Sequence, residues 1–112
     1  MPYDETLAAR VRVAVDGRDG VTERAMFGGL AFMLDGHMLC GVVGNELMLR
    51  LGRGQADAAL ERPHVRPMDF TGRPMAAMVF VAPAGLRGAA LRPWLDAAAT
   101  FVQTLPPKPT RR

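Results

Sequence analysis

An α+β fold built on an antiparallel sheet is what this sequence predicts, and three observations carry the prediction. Both ends of the chain have helical apolar periodicity. The middle is a series of short apolar segments joined by two-residue glycine turns. One short alanine-rich helical segment interrupts that series. Strands in runs, bounded by helices, place the helices on one face of an antiparallel sheet. The expected order is α-β-β-β-α-β-β-α.

The first helix is expected over 5–16. Leu7, Val11, Ala14 and Val15 share one helical face. Asp4 suits the N-cap, Glu5 suits the positive end of the helix dipole, and Asp16-Gly17 supplies the stop. A loop, Arg18-Asp19-Gly20, leads to an apolar strand block from Met26 to Leu34. Within it, Gly28-Gly29 signals a bulge, a bend or a close backbone approach. Asp35-Gly36 between apolar runs fits a type I′ hairpin turn, in which both central residues need positive φ. The returning strand is 38–43, Gly44-Asn45 makes the next turn, and 47–51 is the third strand of a meander.

Gly52-Arg53-Gly54 breaks the sheet, and a short helix is expected over 55–62, ended by Pro63. Residues 63–69 hold two prolines and read as an extended edge segment, followed by a turn at 70–74. Met75 to Val81 reads as a strand, because Val79-Phe80-Val81 favours the pleated conformation. The last helix starts at 89–92, since Pro93 fits only a first turn, and it runs to Leu105. Leu91, Trp94, Leu95, Ala98, Phe101, Val102 and Leu105 form its apolar face.

A length of 112 residues with 49% hydrophobic and 22% charged residues predicts one globular domain over 1–105. Pro106-Pro107-Lys108-Pro109-Thr110-Arg111-Arg112 is expected to be a disordered basic tail. The net charge of +3 belongs to that tail. Without it, the chain carries 11 basic and 11 acidic side chains. Such a balance gives no support for electrostatic binding of nucleic acid by the folded body. No apolar run reaches the length of a membrane span, and the N-terminus has no signal-peptide pattern. A cytoplasmic location is expected, consistent with the single cysteine, Cys40. Thirteen of the 14 basic residues are arginine and isoleucine is absent, which is the signature of a GC-rich genome.

The chemistry-bearing residues are few. Serine is absent, which removes serine-hydrolase chemistry. His37 and Cys40, three apart in a strand, are expected on opposite faces and cannot chelate one metal. Cys40 lies in an apolar strand and reads as a buried, inert thiol. No phosphate-binding glycine loop is present: Gly41-Val42-Val43-Gly44 and Gly52-Arg53-Gly54 match neither dinucleotide nor P-loop spacing. No catalytic residue, metal or cofactor is expected. Arg62, Arg66 and Arg73 surround Asp69. They form either an anion-binding cluster or ion pairs that pin a Pro-rich segment. Seven internal methionines suit an irregular core, the expected role, or an exposed, adaptable sheet face.

Arg24-Ala25-Met26-Phe27-Gly28-Gly29, followed by an apolar strand and Asp35-Gly36, resembles the N-terminal domain of the TfoX/Sxy family. There, an Arg or Lys precedes Met-Phe-Gly-Gly and a hairpin with an acidic-Gly turn follows. The block Arg62-Pro63-His64-Val65-Arg66-Pro67-Met68-Asp69-Phe70-Thr71-Gly72-Arg73-Pro74-Met75 looks like that of its stand-alone members. The resemblance covers about 3–105 and implies a secretion-chaperone-like α+β arrangement. It also implies a bacterial competence regulator's domain, acting with the cyclic AMP receptor protein at promoters. The regulators carry a second, helical domain, and this chain is expected to be a single-domain member. The resemblance supplies no catalytic residues. Arg24, Met26, Phe27, Gly28, Gly29, Asp35 and Gly36 are expected to be structural first. The expected function is a small non-enzymatic protein-interaction module, accessory to transcription or competence regulation. The alternatives are a homodimeric chaperone-like peptide binder and a small-anion or nucleotide binder through Arg62, Arg66 and Arg73.

Overall fold

The computed structural model describes residues 3–26, 28–68 and 76–106. Helix α1 spans Glu5–Val15, with the Asp4 carboxylate accepting from the Leu7 amide at 3.0 Å. Gly17 takes φ +90° just beyond the C-cap, so both predicted ends hold.

Four consecutive strands follow: β1 Val21–Met26, β2 Gly29–Leu34, β3 His37–Val43 and β4 Glu46–Arg50. The meander therefore has one strand more than the sequence suggested. Strand β1, Val-Thr-Glu-Arg-Ala-Met, is largely exposed on both sides, so it shows none of the alternation that marks a half-buried strand. Helix α2 (Arg53–Ala59) starts two residues before its expected position, with Gly52 at φ +83° as its N-cap. Strands β5 (Val65–Pro67) and β6 (Met78–Val81) complete an antiparallel sheet of order β1-β2-β3-β4-β6-β5. The expected turn at 70–74 lies outside the described residues, and Ala76-Ala77 is a turn rather than strand. Two short 3-10 turns precede helix α3 (Leu91–Val102), in which Pro93 is the third residue.

All three helices pack on one face of the sheet. There Phe32, Leu34, Leu47, Leu49, Val79 and Val81 meet Leu7 and Val11 of α1, Ala56 and Ala59 of α2, and Trp94, Leu95 and Ala98 of α3. Trp94 is 5% exposed and its indole N–H donates to the Gly85 carbonyl at 3.3 Å. The other face holds a smaller cluster of Met48, Met68, Met78 and Phe80, with Met38, Val43 and Ala77 at its margin. Met48, Met68 and Met78 thus fill a core, as expected, whereas Met26 and Met38 are half-buried and Met75 lies outside the described residues. Gly41 makes room for one of them: a Cβ there would come within 2.9 Å of Met48 Cε.

One register change alters the faces. Phe32 lies opposite Cys40, but Met33 lies opposite Met38, so Leu39 is an extra residue in β3. Directly opposed residues share a face. Leu34 opposes His37 and Phe32 opposes Cys40, which sets His37 and Cys40 on the same, helix-covered face. The expectation of opposite faces assumed an unbroken period of two, and the bulge removes that assumption.

Candidate functional site

The glycine-rich motif builds the β1–β2 hairpin. Met26 pairs with Gly29 across the connection, in which Gly28 has φ +74°; Phe27 lies outside the described residues. The two glycines are needed for different reasons. Gly28 supplies a left-handed conformation in open space. Gly29 faces the adjacent strand so closely that a Cβ would collide with the Val42 carbonyl. The Asp35-Gly36 turn has both residues at positive φ, +53° and +84°, as a type I′ turn requires. The Asp35 amide donates to the Gly20 carbonyl at 3.0 Å, which ties this turn to the loop before β1.

This hairpin leaves β1 at the edge of the sheet, with its outer backbone edge unpaired among the described residues. The opposite edge, β5, has three residues and ends in Pro67, which cannot donate to a further strand. Glu23 opposes Phe32 and so sits on the helix-covered side. There it receives two hydrogen bonds from Arg12 of α1, at 2.6 and 2.8 Å. That pairing holds the Glu23 carboxyl below its usual range. Arg24 opposes Ala31 on the other side and is exposed, with no ion pair among the described residues.

The arginines of the candidate anion cluster are not gathered at one point. Arg62 lies over the Trp94 ring, 4.1 Å from its centroid, on the helix side of the sheet. Arg66 lies over Phe80 at 4.4 Å, on the methionine side, and donates to both carboxylate oxygens of Glu46 at 3.0 and 2.6 Å. Four residues apart in sequence, they flank the sheet because β5 lies between them in its plane. Arg73 and Asp69 lie outside the described residues.

His37 Nε2 is 2.6 Å from the Pro106 carbonyl, so the hairpin and the start of the tail are joined; the rest of the tail, 107–112, lies outside the described residues. Cys40 is buried, and desolvation pushes its thiol far above the ordinary range. Among the described residues, no group of three His, Cys, Asp or Glu side chains could hold a metal, and no helix is long and apolar enough to cross a membrane. Sequence reading missed β1 as a strand, although its opening Val21-Thr22 pair was a β-branched signal. It also passed over Arg50 and Arg53, whose placement beside one cavity depends on pairing between distant strands.

Fold and hairpin together define a small α+β module, with three helices on one face of a six-stranded antiparallel sheet and one long edge strand uncovered. Compared with known families, the chain matches the TfoX N-terminal domain over residues 14–102, from the end of α1 to the end of α3. It belongs to that family. Neither the curated proteins nor the solved structures compared with it give a match.

Proposed function

We propose that this chain is a non-enzymatic protein-interaction module of the TfoX N-terminal type. It serves as an accessory to transcription or competence regulation by adding an extended segment of a partner to the outer edge of β1. The observation that carries this reading is the β1 edge itself: six residues of strand, mostly exposed, with a row of backbone donors and acceptors open to pairing. Family membership supports the regulatory context. The lack of serine and the inert Cys40 support the absence of chemistry.

The edge favours a different chain over a second copy. In a twofold antiparallel pair, the central residue faces its own copy. The two registers that pair most of β1 centre on Glu23 or Arg24, and each opposes like charges. The same charges accept a partner strand of complementary pattern.

The test combines capture from the host cell with amide hydrogen exchange on the complex. Binding is expected to slow exchange along β1 and to be lost in Arg24→Glu. A bound partner that leaves β1 exchange unchanged would reject the edge as the docking site. Direct DNA binding is the competing reading. Duplex binding is expected only at low salt, independent of base sequence, and abolished by K108Q/R111Q/R112Q or by about 200 mM salt. Sub-micromolar binding by that triple variant at physiological salt would replace the interaction module with a direct DNA binder.

A further inference from the structure

Three of the larger cavities on the described surface differ in what their arginines are doing. The groove between α1 and α3, about 450 Å³, is lined by Val13 and Leu91 with Arg10 and Arg92. Both arginines are occupied: Arg10 donates to the Leu86 and Gly88 carbonyls, and Arg92 to that of Ala14. A smaller cavity of about 200 Å³ beside Trp94 has Arg62 stacked on the indole. The third, about 460 Å³, lies on the methionine side and is lined by Met38, Arg50, Arg53, Ala76, Ala77 and Met78.

Arg50 and Arg53 have no hydrogen bond or ion pair among the described residues, where the paired arginines are Arg12, Arg18 and Arg66. Arg50 opposes Met78 across the β4–β6 ladder, so the two share the helix-free face. Arg53 opens α2 three residues later and reaches the same cavity. Asp57, one helical turn further on, makes no ion pair with it. Two of the nearby backbone donors are already used: the Leu51 and Gly52 amides both donate to the Ala77 carbonyl, at 2.9 and 3.1 Å. The cavity's described side chains therefore offer two guanidinium groups and an apolar floor. Its volume falls in the range of small-molecule sites, about 300–1,000 Å³. Methionine adapts to apolar bodies of varied shape.

We propose that this cavity is a binding site for a small amphipathic carboxylate. Arg50 and Arg53 hold the carboxylate, and Met38, Ala77 and Met78 take the apolar body. A carboxylate's two oxygens match the guanidinium fork, and the apolar tail it carries covers Met38, Ala77 and Met78, which inorganic phosphate leaves bare. The site is two strands removed from β1 and does not depend on the partner-docking reading.

The test follows the methionine methyl and backbone amide resonances of the full chain during titration with octanoate, octanamide and inorganic phosphate. Octanoate is expected to shift Met38 and Met78 saturably. Arg50→Gln and Arg53→Gln are each expected to weaken it by about tenfold or more, the usual worth of a charge-assisted hydrogen bond. Octanamide and phosphate are expected to bind at least about tenfold more weakly than octanoate. Arg53 is exposed at a helix start, so its variant keeps the fold even if Arg50→Gln does not. The proposal is overturned if octanamide matches octanoate, if phosphate alone matches it, or if the shifts fall on Val13 and Leu91. Absence of saturable octanoate binding overturns it equally.

Discussion

On one face of the sheet, Phe32, Leu34, Leu47, Leu49, Val79 and Val81 meet three helices; on the other, Met48, Met68, Met78 and Phe80 meet none of the described ones. Both clusters are buried, yet their side chains differ in kind. The helix-covered face uses branched and aromatic residues with few rotamers, which interlock with α1 and α3 and define where those helices sit. The opposite face uses flexible thioethers, which fill space of irregular shape without dictating it. Three cavities follow the same division. The two on the helix side have their arginines tied to carbonyls or an indole, and the one on the methionine side has arginines without an ion pair among the described residues. A sheet of this size thus separates a face that sets the fold from a face that can change shape around something else.

Substitutions on the two faces should differ in cost. The largest loss is expected for Trp94→Ala, about 3–5 kcal/mol by chemical denaturation, because it removes a large indole from the helix-covered core. A cost below about 1 kcal/mol would mean that α3 is not held through its indole. Next comes Gly29→Ala, about 1–3 kcal/mol, since its methyl at the start of β2 meets the Val42 backbone carbonyl of β3. Gly28→Ala is expected to cost about 1–2 kcal/mol for its positive φ alone. Equal losses at the two glycines would show that the collision at Gly29 relaxes freely.

Met48→Leu, on the methionine face, should cost less than about 1.5 kcal/mol despite complete burial. A larger loss would show that this face is as tightly keyed as the other. The smallest effect is expected for Glu23→Gln on β1. Its carboxyl is held low by the Arg12 hydrogen bonds, so its contribution is present above the ordinary carboxylate range and disappears as pH falls through its lowered value. The pair is exposed, and screening keeps it weak. Midpoints for the parent and variant should therefore lie close at neutral pH and converge completely in acid.

Local signals in the sequence were sufficient for the ends of α1 and for the hairpin turns. Asp4, Asp16-Gly17, Asp35-Gly36 and Gly44 each impose a local backbone geometry, and each appears where expected. The Trp94 face of α3 was equally legible, because one helix alone carries its whole period. β1 was not, since an edge strand exposed on both sides has no apolar alternation to read. The anion cluster misled for a related reason: Arg62 and Arg66 are neighbours in sequence, but the plane of the sheet runs between them.

By itself, then, the sequence determined the α+β class, the ends of α1, the hairpin turns and the membership that the Met-Phe-Gly-Gly block announces. These are short-range matters, settled by φ preference, capping and the period of one element at a time. Only the tertiary structure decided which face each side chain took. A single extra residue at Leu39 brought His37 and Cys40 to the same side, and pairing of β4 with β6 set Arg50 opposite Met78. Register between distant strands is chosen by the packing of the whole sheet, and a change of one residue reverses a strand's faces.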